Sequence, residues 1–184
     1  INKMKKVSVI IVSYNVRSYL SHAIDSILKS NYEQLEIIVV DNHSYDGTCD
    51  YLNGNYKDID SLNVFSNSEN VGFGKAVNQA SEVASGEYLM ILNPDTIIEP
   101  NCINELIFAY NKFGEGLYQP KILSLDEENI IQSTGNMLHV FGFGCARDKG
   151  NKVTDKTETT IDQVKPFNRA TELSLISSFR AFDR

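Results

Sequence analysis

Three apolar segments of this chain end abruptly in polar residues, and this pattern limits the possible folds more than any other feature. The segments cover residues 7–12, 35–40 and 87–92. Their polar ends read Ser13-Tyr14-Asn15, Asp41-Asn42 and Asn93-Pro94-Asp95. Short apolar runs are typical of strands buried in a parallel sheet, and open α/β folds bind ligands at the carboxyl edge of such a sheet. The sequence therefore predicts a ligand site of Asn, Asp and Tyr side chains at that edge, with a nucleotide as its ligand.

Segments with helical periodicity lie between these predicted strands. An amphipathic helix is expected over about 17–29, and a turn over residues 44–48 is expected to lead into a short helix near 47–56. A third helix has an inner face made of Phe73, Val77, Ala80 and Ala84. A fourth is expected to open at Pro100, because the missing N–H of proline would be unpaired at the first helical position in any case.

The alternation of strands and helices predicts the fold class. With a further strand at 61–65, it indicates one α/β domain over residues 1–184, built on a mostly parallel, twisted sheet with helices on both faces. Beyond about residue 115 the patterns are weaker. They favour strands at 116–123 and 130–135 and an exposed loop at 148–163.

The charge of the chain limits its partners. The formal net charge is -7, so no basic face is available to neutralise the phosphates of a nucleic acid. A single nucleotide remains compatible with this charge if a divalent cation mediates the contact. Hydrophobic residues make up 42% of the chain and charged residues 22%, as is ordinary for a globular protein.

Cysteine usage and hydropathy predict the compartment. The three cysteines, Cys49, Cys102 and Cys145, are odd in number and far apart, so we expect reduced thiols and a cytoplasmic location. No apolar run approaches the roughly 20 residues that span a bilayer. An association with the inner face of a membrane, through membrane-bound acceptors, stays open.

Four motifs occur in an order and at spacings that fit successive βαβ units. They are Val9-Ile-Ile-Val-Ser-Tyr-Asn15, Val39-Val-Asp-Asn-x-Ser-x-Asp-Gly-Thr48, Asn70-x-Gly-Phe73 and Leu92-Asn-Pro-Asp-Thr96. Over residues from about 6 to 140 the chain thus resembles inverting glycosyltransferases of family 2, which have the GT-A (Rossmann-like) fold. The Asn-Pro-Asp and Asn-Val-Gly-Phe segments are similar to the rhamnosyltransferase-like branch. The resemblance implies metal-assisted transfer of a sugar, with rhamnose as a candidate, from a UDP or dTDP donor to a glycan or lipid-linked acceptor in polysaccharide biosynthesis.

The resemblance implies that Ser13, Tyr14, Asn15 and Asp41 hold the base of the nucleoside diphosphate sugar. Tyr14 offers a ring for stacking, and the Asp41 carboxylate can accept the imide N–H of uracil or thymine. Guanine carries a similar N–H, so the base stays open. The alternative is structural: Tyr14 covers the core and Asp41 begins a turn.

The resemblance also implies a metal site at Asp95. The family carries an Asp-x-Asp motif at this place, whose last Asp binds Mg²⁺ or Mn²⁺ at the diphosphate. Here Asn93 replaces the first Asp and leaves Asp95 as the clear carboxylate ligand. One or two carboxylates together with phosphates commonly hold Mg²⁺, so the replacement does not forbid a metal. The alternative is that Asp95 only leads into a helix.

The segment Asn70-Val-Gly-Phe-Gly-Lys75 opens the helix after the third strand. Gly72 permits a tight turn there, and the start of a helix exposes N–H groups that suit an anion. Lys75 is a candidate contact for the sugar diphosphate, although a solvated lysine fits the sequence as well. The segment is neither a Walker A loop nor a complete G-x-G-x-x-G.

The sequence departs from the family where the catalytic base is expected. In the family an Asp or Glu in a later acidic cluster deprotonates the acceptor, whereas residues 179–184 read Phe-Arg-Ala-Phe-Asp-Arg. Asp126, Glu127 and Glu128 come too early and are interpreted as a surface turn. Phe141 and Phe143 are candidates for a lid or for core packing. No catalytic residue is identified, and the expectation is a donor half over about 6–115 without its acceptor part.

Two rival functions follow from this departure. The first is a truncated remnant that binds a nucleotide without catalysis. The second is a sugar-phosphate nucleotidylyltransferase, a class with a glycine-rich loop after the first strand. Ser13-Tyr14-Asn15-Val16 lacks that loop, which disfavours the second rival.

Overall fold

The computed structural model of the chain describes residues 4–138, 144–154 and 174–177. Its main sheet has five strands in the order β3-β2-β1-β4-β9, and each neighbouring pair is parallel. These strands are β1 (Val7–Ser13), β2 (Leu35–Asp41), β3 (Leu62–Ser66), β4 (Tyr88–Leu92) and β9 (Ser174–Ser177). The sequence prediction of an α/β fold on a mostly parallel sheet is therefore confirmed.

Four helices cover the two faces of this sheet. They are α1 (Arg17–Leu28), α2 (Thr48–Asn55), α3 (Phe73–Val83) and α4 (Cys102–Phe113). Buried side chains of α1, α2 and α4 pack with one set of strand residues, and those of α3 pack with the alternate set. Because both faces are covered, β1, β2 and β4 carry apolar residues towards both faces of the sheet rather than towards one face only. No helix among the described residues is long and apolar enough to cross a bilayer.

The strand register brings the carboxyl ends of the strands to one level. Ser13 lies opposite Asp41, and Asp41 lies opposite Ser66. On the other side of β1, Ile11 is paired with Leu92, so β4 ends at nearly the same height. The polar residues that follow β1, β2 and β4 therefore share one edge of the sheet.

Two details of the predicted helices are wrong. The fourth helix begins at Cys102 rather than at Pro100, because the Pro100 carbonyl accepts a hydrogen bond from Asn31 N at 2.9 Å and lies in a turn before the helix. On α3, Phe73 is 52% exposed, whereas Ala76 and Ala80 are buried against the sheet. Phe73 is the first residue of α3, so its ring lies at the rim of the sheet rather than over it.

The chain after residue 115 forms short antiparallel pairs. They join β5 (Ile122–Leu123) to β6 (Ile131–Ser133) and β7 (Asn136–Leu138) to β8 (Gly144–Ala146). The strand predicted over 116–123 was too long, and only its last two residues, Ile122 and Leu123, pair with β6. Of the predicted loop at 148–163, residues 148–150 form a turn and Lys152 bridges to Ile130, while the part beyond residue 154 lies outside the described residues.

A buried carboxylate holds the amino edge of the sheet together. Glu36 accepts hydrogen bonds from Lys6 Nζ at 3.1 Å, Ser85 N at 2.6 Å, Ser85 Oγ at 2.8 Å and the Ser8 hydroxyl. Burial alone would raise the pKa of Glu36, but these hydrogen bonds outweigh it and lower the pKa to about 2. Next to this cluster, Gly86 N donates to Ser8 Oγ at 2.8 Å. The carboxylate thus ties β1, β2 and the chain before β4 to one another.

Replacing Glu36 by Gln should make stability less dependent on pH. The native pKa is below that of the unfolded chain, so the stabilisation is complete above about pH 4.5 and is lost as the pH falls towards about 2. We expect Glu36→Gln to lower the free energy of unfolding by about 2 kcal/mol at pH 7, with the difference shrinking below pH 4.5. Urea denaturation from pH 7 to pH 3 measures this. Glu33→Gln, at an exposed glutamate, controls for the loss of one charge, and an equal effect of both variants would contradict the expectation.

Gly86 should not tolerate a side chain. A Cβ at this position would lie 2.5 Å from Ser8 Oγ and 2.6 Å from Ser8 N. We expect Gly86→Ala to cost about 3 kcal/mol of stability, because overpacking against backbone cannot relax cheaply. Gly54→Ala is the matched control: a Cβ there meets nothing within 4 Å in α2, so this variant should be neutral or more stable. Thermal unfolding measures the melting temperatures of both variants, and similar melting temperatures would contradict the expected difference in stability.

Candidate functional site

The Asp41 carboxylate lies at the carboxyl edge but faces into the protein. Its Oδ1 accepts hydrogen bonds from Ser13 Oγ at 3.0 Å and Ser44 Oγ at 2.6 Å. Its Oδ2 accepts from Ser44 N at 2.9 Å and from the Cys49 thiol at 3.1 Å. Burial raises the pKa of Cys49, so the thiol keeps the proton that it donates. Four donors fill the four lone-pair positions of a carboxylate, and Asp41 is only 1% exposed.

The four internal hydrogen bonds of Asp41 limit the contact with a base that was predicted for it. A base could donate its imide N–H to Asp41 only if one of the four internal donors moved away. The carboxylate instead orders the chain that follows β2, because two of its donors belong to Ser44. Ser44 and Cys49 were not predicted as its partners. The sequence signal for Ser44 is its place in the motif Asp-Asn-x-Ser-x-Asp-Gly-Thr, and the signal for Cys49 is its place at the start of α2.

Ser44 and Asn15 join the loops after β1 and β2. Ser44 Oγ accepts a hydrogen bond from Asn15 N at 2.9 Å, and Asn15 Oδ1 accepts one from Tyr45 N at 2.8 Å. Asn15 has φ +55°, a left-handed conformation that asparagine tolerates better than most residues. Between Ser13, which is fully buried, and Asn15, the Tyr14 side chain is 44% exposed. The two joined loops thus leave the Tyr14 ring accessible at the edge of the sheet.

Asp46 fixes the beginnings of two helices beside these loops. Its Oδ2 accepts from Arg17 N at 3.0 Å, and its Oδ1 accepts from Thr48 N at 3.1 Å and from the Thr48 hydroxyl. Burial opposes ionisation, but the hydrogen bonds from Thr48 and Arg17 outweigh it and lower the pKa of Asp46. The sequence predicted the turn into α2. It gave no sign that the same carboxylate also caps α1.

Asp95 differs from Asp41 in that part of its carboxylate has no partner. Its Oδ1 is buried and accepts no hydrogen bond within the described part of the chain. A buried, unpaired carboxylate oxygen is costly, and a bound cation removes that cost. No cluster of three or more His, Cys, Asp or Glu side chains that could hold a metal is found among the described residues. One carboxylate with an unpaired oxygen is a donor set that fits a cation such as Mg²⁺ or Mn²⁺, whose remaining ligands would come from phosphates and water.

The other predicted site residues lie at the same edge. Asn93 is exposed directly after β4. Gly72 has φ +84°, which favours glycine, and it precedes the first residue of α3. Lys75, in the first turn of α3, is exposed, and its amine forms no ion pair with another described residue. Asn93 thus follows β4, and Gly72 and Lys75 lie at the start of α3; that these residues bind a ligand stays a prediction.

Two further predictions concern the chain beyond the main sheet. Asp126, Glu127 and Glu128 are exposed in a turn, which confirms their interpretation as surface residues. Phe141 and Phe143 lie outside the described residues, as does the segment 178–184.

Comparison with known proteins identifies the family. The chain matches the model of Glycosyl transferase family 2 over residues 8–162. The chain belongs to glycosyl transferase family 2. A glycosyltransferase of Haemophilus influenzae is 35% identical over 106 residues, which cover 58% of this chain and 33% of that protein. GlyA of Streptococcus pneumoniae is 30% identical over 138 residues, covering 74% of this chain and 19% of its own. The chain thus spans a third or less of the length of these family 2 relatives.

Solved structures of glycosyltransferases share the fold. TarS 1-349 of S. aureus superposes with a TM-score of 0.61 at 25% identity, over 73% of this chain and 41% of that chain. A complex of TarS 1-349 with UDP-GlcNAc matches with the same TM-score of 0.61, at 25% identity, over 71% of this chain and 39% of its own. The mannosyltransferase PcManGT from Pyrobaculum calidifontis, solved with GDP-Man and Mn²⁺, has a TM-score of 0.59 at 24% identity over 65% of this chain and 36% of its own. The GT-A fold predicted from the motifs is therefore confirmed.

Loss of the Ser44 hydroxyl should loosen the joined loops of this family 2 domain. Ser44→Ala removes the acceptor of Asn15 N and one donor to Asp41. We expect the free energy of unfolding to fall by about 1–2 kcal/mol, because buried polar groups lose their partners. Ser81→Ala is the control, since its hydroxyl donates to the Asn78 carbonyl within α3; it should change stability by less than about 0.5 kcal/mol. Chemical denaturation compares the two, and equal losses would count against the role given to Ser44.

Proposed function

We propose that this chain is the donor-binding part of a metal-dependent glycosyltransferase that uses a nucleoside diphosphate sugar. The observation that carries the proposal is the buried Oδ1 of Asp95, which has no hydrogen-bond partner within the described residues and lies after β4 at the carboxyl edge. Membership of glycosyl transferase family 2 and the likeness to TarS, which was solved with UDP-GlcNAc, support this proposal. UDP or dTDP is the proposed nucleotide carrier.

Each site residue has a role in this proposal. The exposed ring of Tyr14 stacks on the base, and Asn15 holds the loop that carries it. Asp41 orders the base-binding loops through its four donors and contacts the base itself only if one donor leaves. Gly72 and Lys75 lie where the diphosphate would be bound, with Lys75 supplying a positive charge. Ser13 links the two strand ends through its bond to Asp41.

Asp95 and Asn93 would hold the cation with the donor phosphates. When bound, Mg²⁺ or Mn²⁺ supplies Lewis-acid stabilisation for the leaving diphosphate. Asn93 offers a carbonyl oxygen where the family's Asp-x-Asp motif has a carboxylate, so the site would carry one negative charge less. An oxygen-only ligand set of this kind suits a hard cation.

The proposed reaction is displacement at the anomeric carbon with inversion. The acceptor hydroxyl of a growing glycan or lipid-linked sugar would attack opposite the diphosphate and lose its proton to a general base. No described residue is assigned that role.

Rhamnose is the proposed sugar on the strength of the Asn-Pro-Asp and Asn-Val-Gly-Phe segments. A polysaccharide is the proposed product; TuaG of Bacillus subtilis, a putative teichuronic acid biosynthesis glycosyltransferase, supports this with 39% identity over 89 residues (48% of this chain, 35% of that protein).

Nucleotide binding by the Asp95→Asn variant tests the proposal. We expect the unmodified chain to bind UDP or dTDP in a Mn²⁺-dependent manner, and Asp95→Asn to weaken that binding by about tenfold or more. Without metal the variant should be at least as stable as the parent, because it loses the negative charge of a carboxylate whose Oδ1 is buried without a partner among the described residues. Calorimetric titration with UDP, dTDP and GDP, with and without Mn²⁺, measures the affinities.

The control for this experiment is Asp126→Asn. It removes one negative charge from an exposed turn and should leave nucleotide affinity unchanged. Failure of the unmodified chain to bind any of the three nucleotides would overturn the proposed function. Metal-dependent binding that persists in Asp95→Asn would overturn the metal site alone.

A further inference from the structure

Three asparagine side chains form a hydrogen-bonded cluster on the α3 side of the carboxyl edge. They are Asn42 after β2, Asn67 after β3 and Asn70 before α3. Asn67 Nδ2 donates to Asn42 Oδ1 at 3.1 Å, and Asn42 Nδ2 donates to Asn70 Oδ1 at 2.7 Å. We call these three residues the amide cluster. Asn42 is only 2% exposed, so its carboxamide depends on these partners rather than on water.

Two backbone N–H groups fix the orientation of the cluster. Val71 N donates to Asn42 Oδ1 at 3.1 Å, and Gly72 N donates to Asn70 Oδ1 at 3.0 Å. A backbone N–H cannot act as an acceptor, so neither carboxamide can turn over without losing a bond. Asn42 Nδ2 must therefore be the group that faces Asn70 Oδ1. The Asn42–Asn70 bond thus has a fixed direction.

The amide cluster sets the path of the chain into α3. Its acceptors hold the N–H groups of Val71 and Gly72, the two residues directly before Phe73. The helix itself has no side-chain hydrogen bond at its N-cap, Gly72. Asn42, directly after β2, therefore maintains the conformation of the loop that contains Gly72. This loop leads into α3, where Lys75 lies in the first turn.

We propose that Asn42 is a positioning residue for the diphosphate of the donor. It holds the 70–72 loop in the conformation that places Gly72 and Lys75 at the site. This inference rests on the proposed function and deepens it. Asp41 and Asn42 are successive residues and point to opposite faces of the sheet. Asp41 orders the loops beside Tyr14, and Asn42 orders the loop before α3, so adjacent residues serve the base and the diphosphate separately.

The Asn42→Asp variant tests this role. The carboxylate keeps the acceptor for Val71 N and Asn67 Nδ2 but loses the donor and faces Asn70 Oδ1, which is also an acceptor. We expect the affinity for UDP to fall by about tenfold or more, and the affinity for uridine, which lacks the diphosphate, to stay within about twofold. UDP is titrated by calorimetry with Mn²⁺ and uridine by NMR, and thermal unfolding confirms that the variant is folded.

Gln79→Glu is the matched control for charge. Gln79 lies on α3 outside the amide cluster, and its Oε1 accepts a hydrogen bond from Asn67 Nδ2 at 3.0 Å. Glutamate keeps that acceptor and adds the same negative charge as Asn42→Asp. We expect its UDP affinity to stay within about threefold of the parent. Equal losses of UDP affinity in both variants would show a charge effect and overturn the role of Asn42.

A second variant guards against a folding failure. Asn70 is exposed, and Asn70→Leu removes the acceptor shared by Asn42 Nδ2 and Gly72 N at low risk to the fold. It should show the same loss for UDP and not for uridine. Equal loss for both ligands would mean general damage and would refute the inference. If the unmodified chain binds uridine and UDP equally well, the proposed role of Asn42 in binding the diphosphate is overturned. If the unmodified chain binds neither ligand, both the proposed function and the role of Asn42 are overturned.

Discussion

The parallel pairing of β1 with β2 determines the face of the sheet on which each polar side chain of the carboxyl edge lies. Ser13 is opposite Asp41, so the Ser13 hydroxyl reaches the carboxylate and Asp41 points towards α2. A shift of one residue would exchange the faces of Asp41 and Asn42. The carboxylate would then meet the amide cluster, and the carboxamide would meet Ser44 and Cys49. The arrangement of the whole edge depends on this register.

The sequence predicted the strands and the edge well, because mainly apolar runs followed by polar residues have few alternative interpretations. The prediction failed where the local structure depends on a contact with a residue that is distant in the sequence. The start of the fourth helix depends on Asn31, whose N–H binds the Pro100 carbonyl. The saturation of Asp41 depends on Ser13, 28 residues earlier in the chain. Such contacts leave no periodic signal, so the sequence could place residues such as Asp41 and Asp95 at the carboxyl edge but could not predict their hydrogen-bond partners.

Asp41 and Asp95 both lie at the carboxyl edge but differ in their hydrogen bonding. Asp41 has all its lone pairs engaged and acts as a rigid support. Asp95 keeps one buried oxygen without a partner among the described residues, and this oxygen is the proposed ligand of the cation. A carboxylate whose lone pairs are all engaged stabilises the fold, whereas a carboxylate proposed to bind a cation needs an oxygen that is not engaged. The two aspartates therefore differ in their hydrogen bonds although both lie at the carboxyl edge.

The Glu36 cluster at the amino edge has a consequence for how this domain can change over evolutionary time. Its bonds tie together three segments of the sheet without using any residue of the carboxyl edge. Substitutions in the loops of the carboxyl edge therefore leave the hydrogen bonds of Glu36 in place. The loop sequences, and with them the proposed donor site, can diverge while the strands stay anchored at the other edge. The same separation means that substitutions at the amino edge change the stability of the domain without touching the residues of the carboxyl edge.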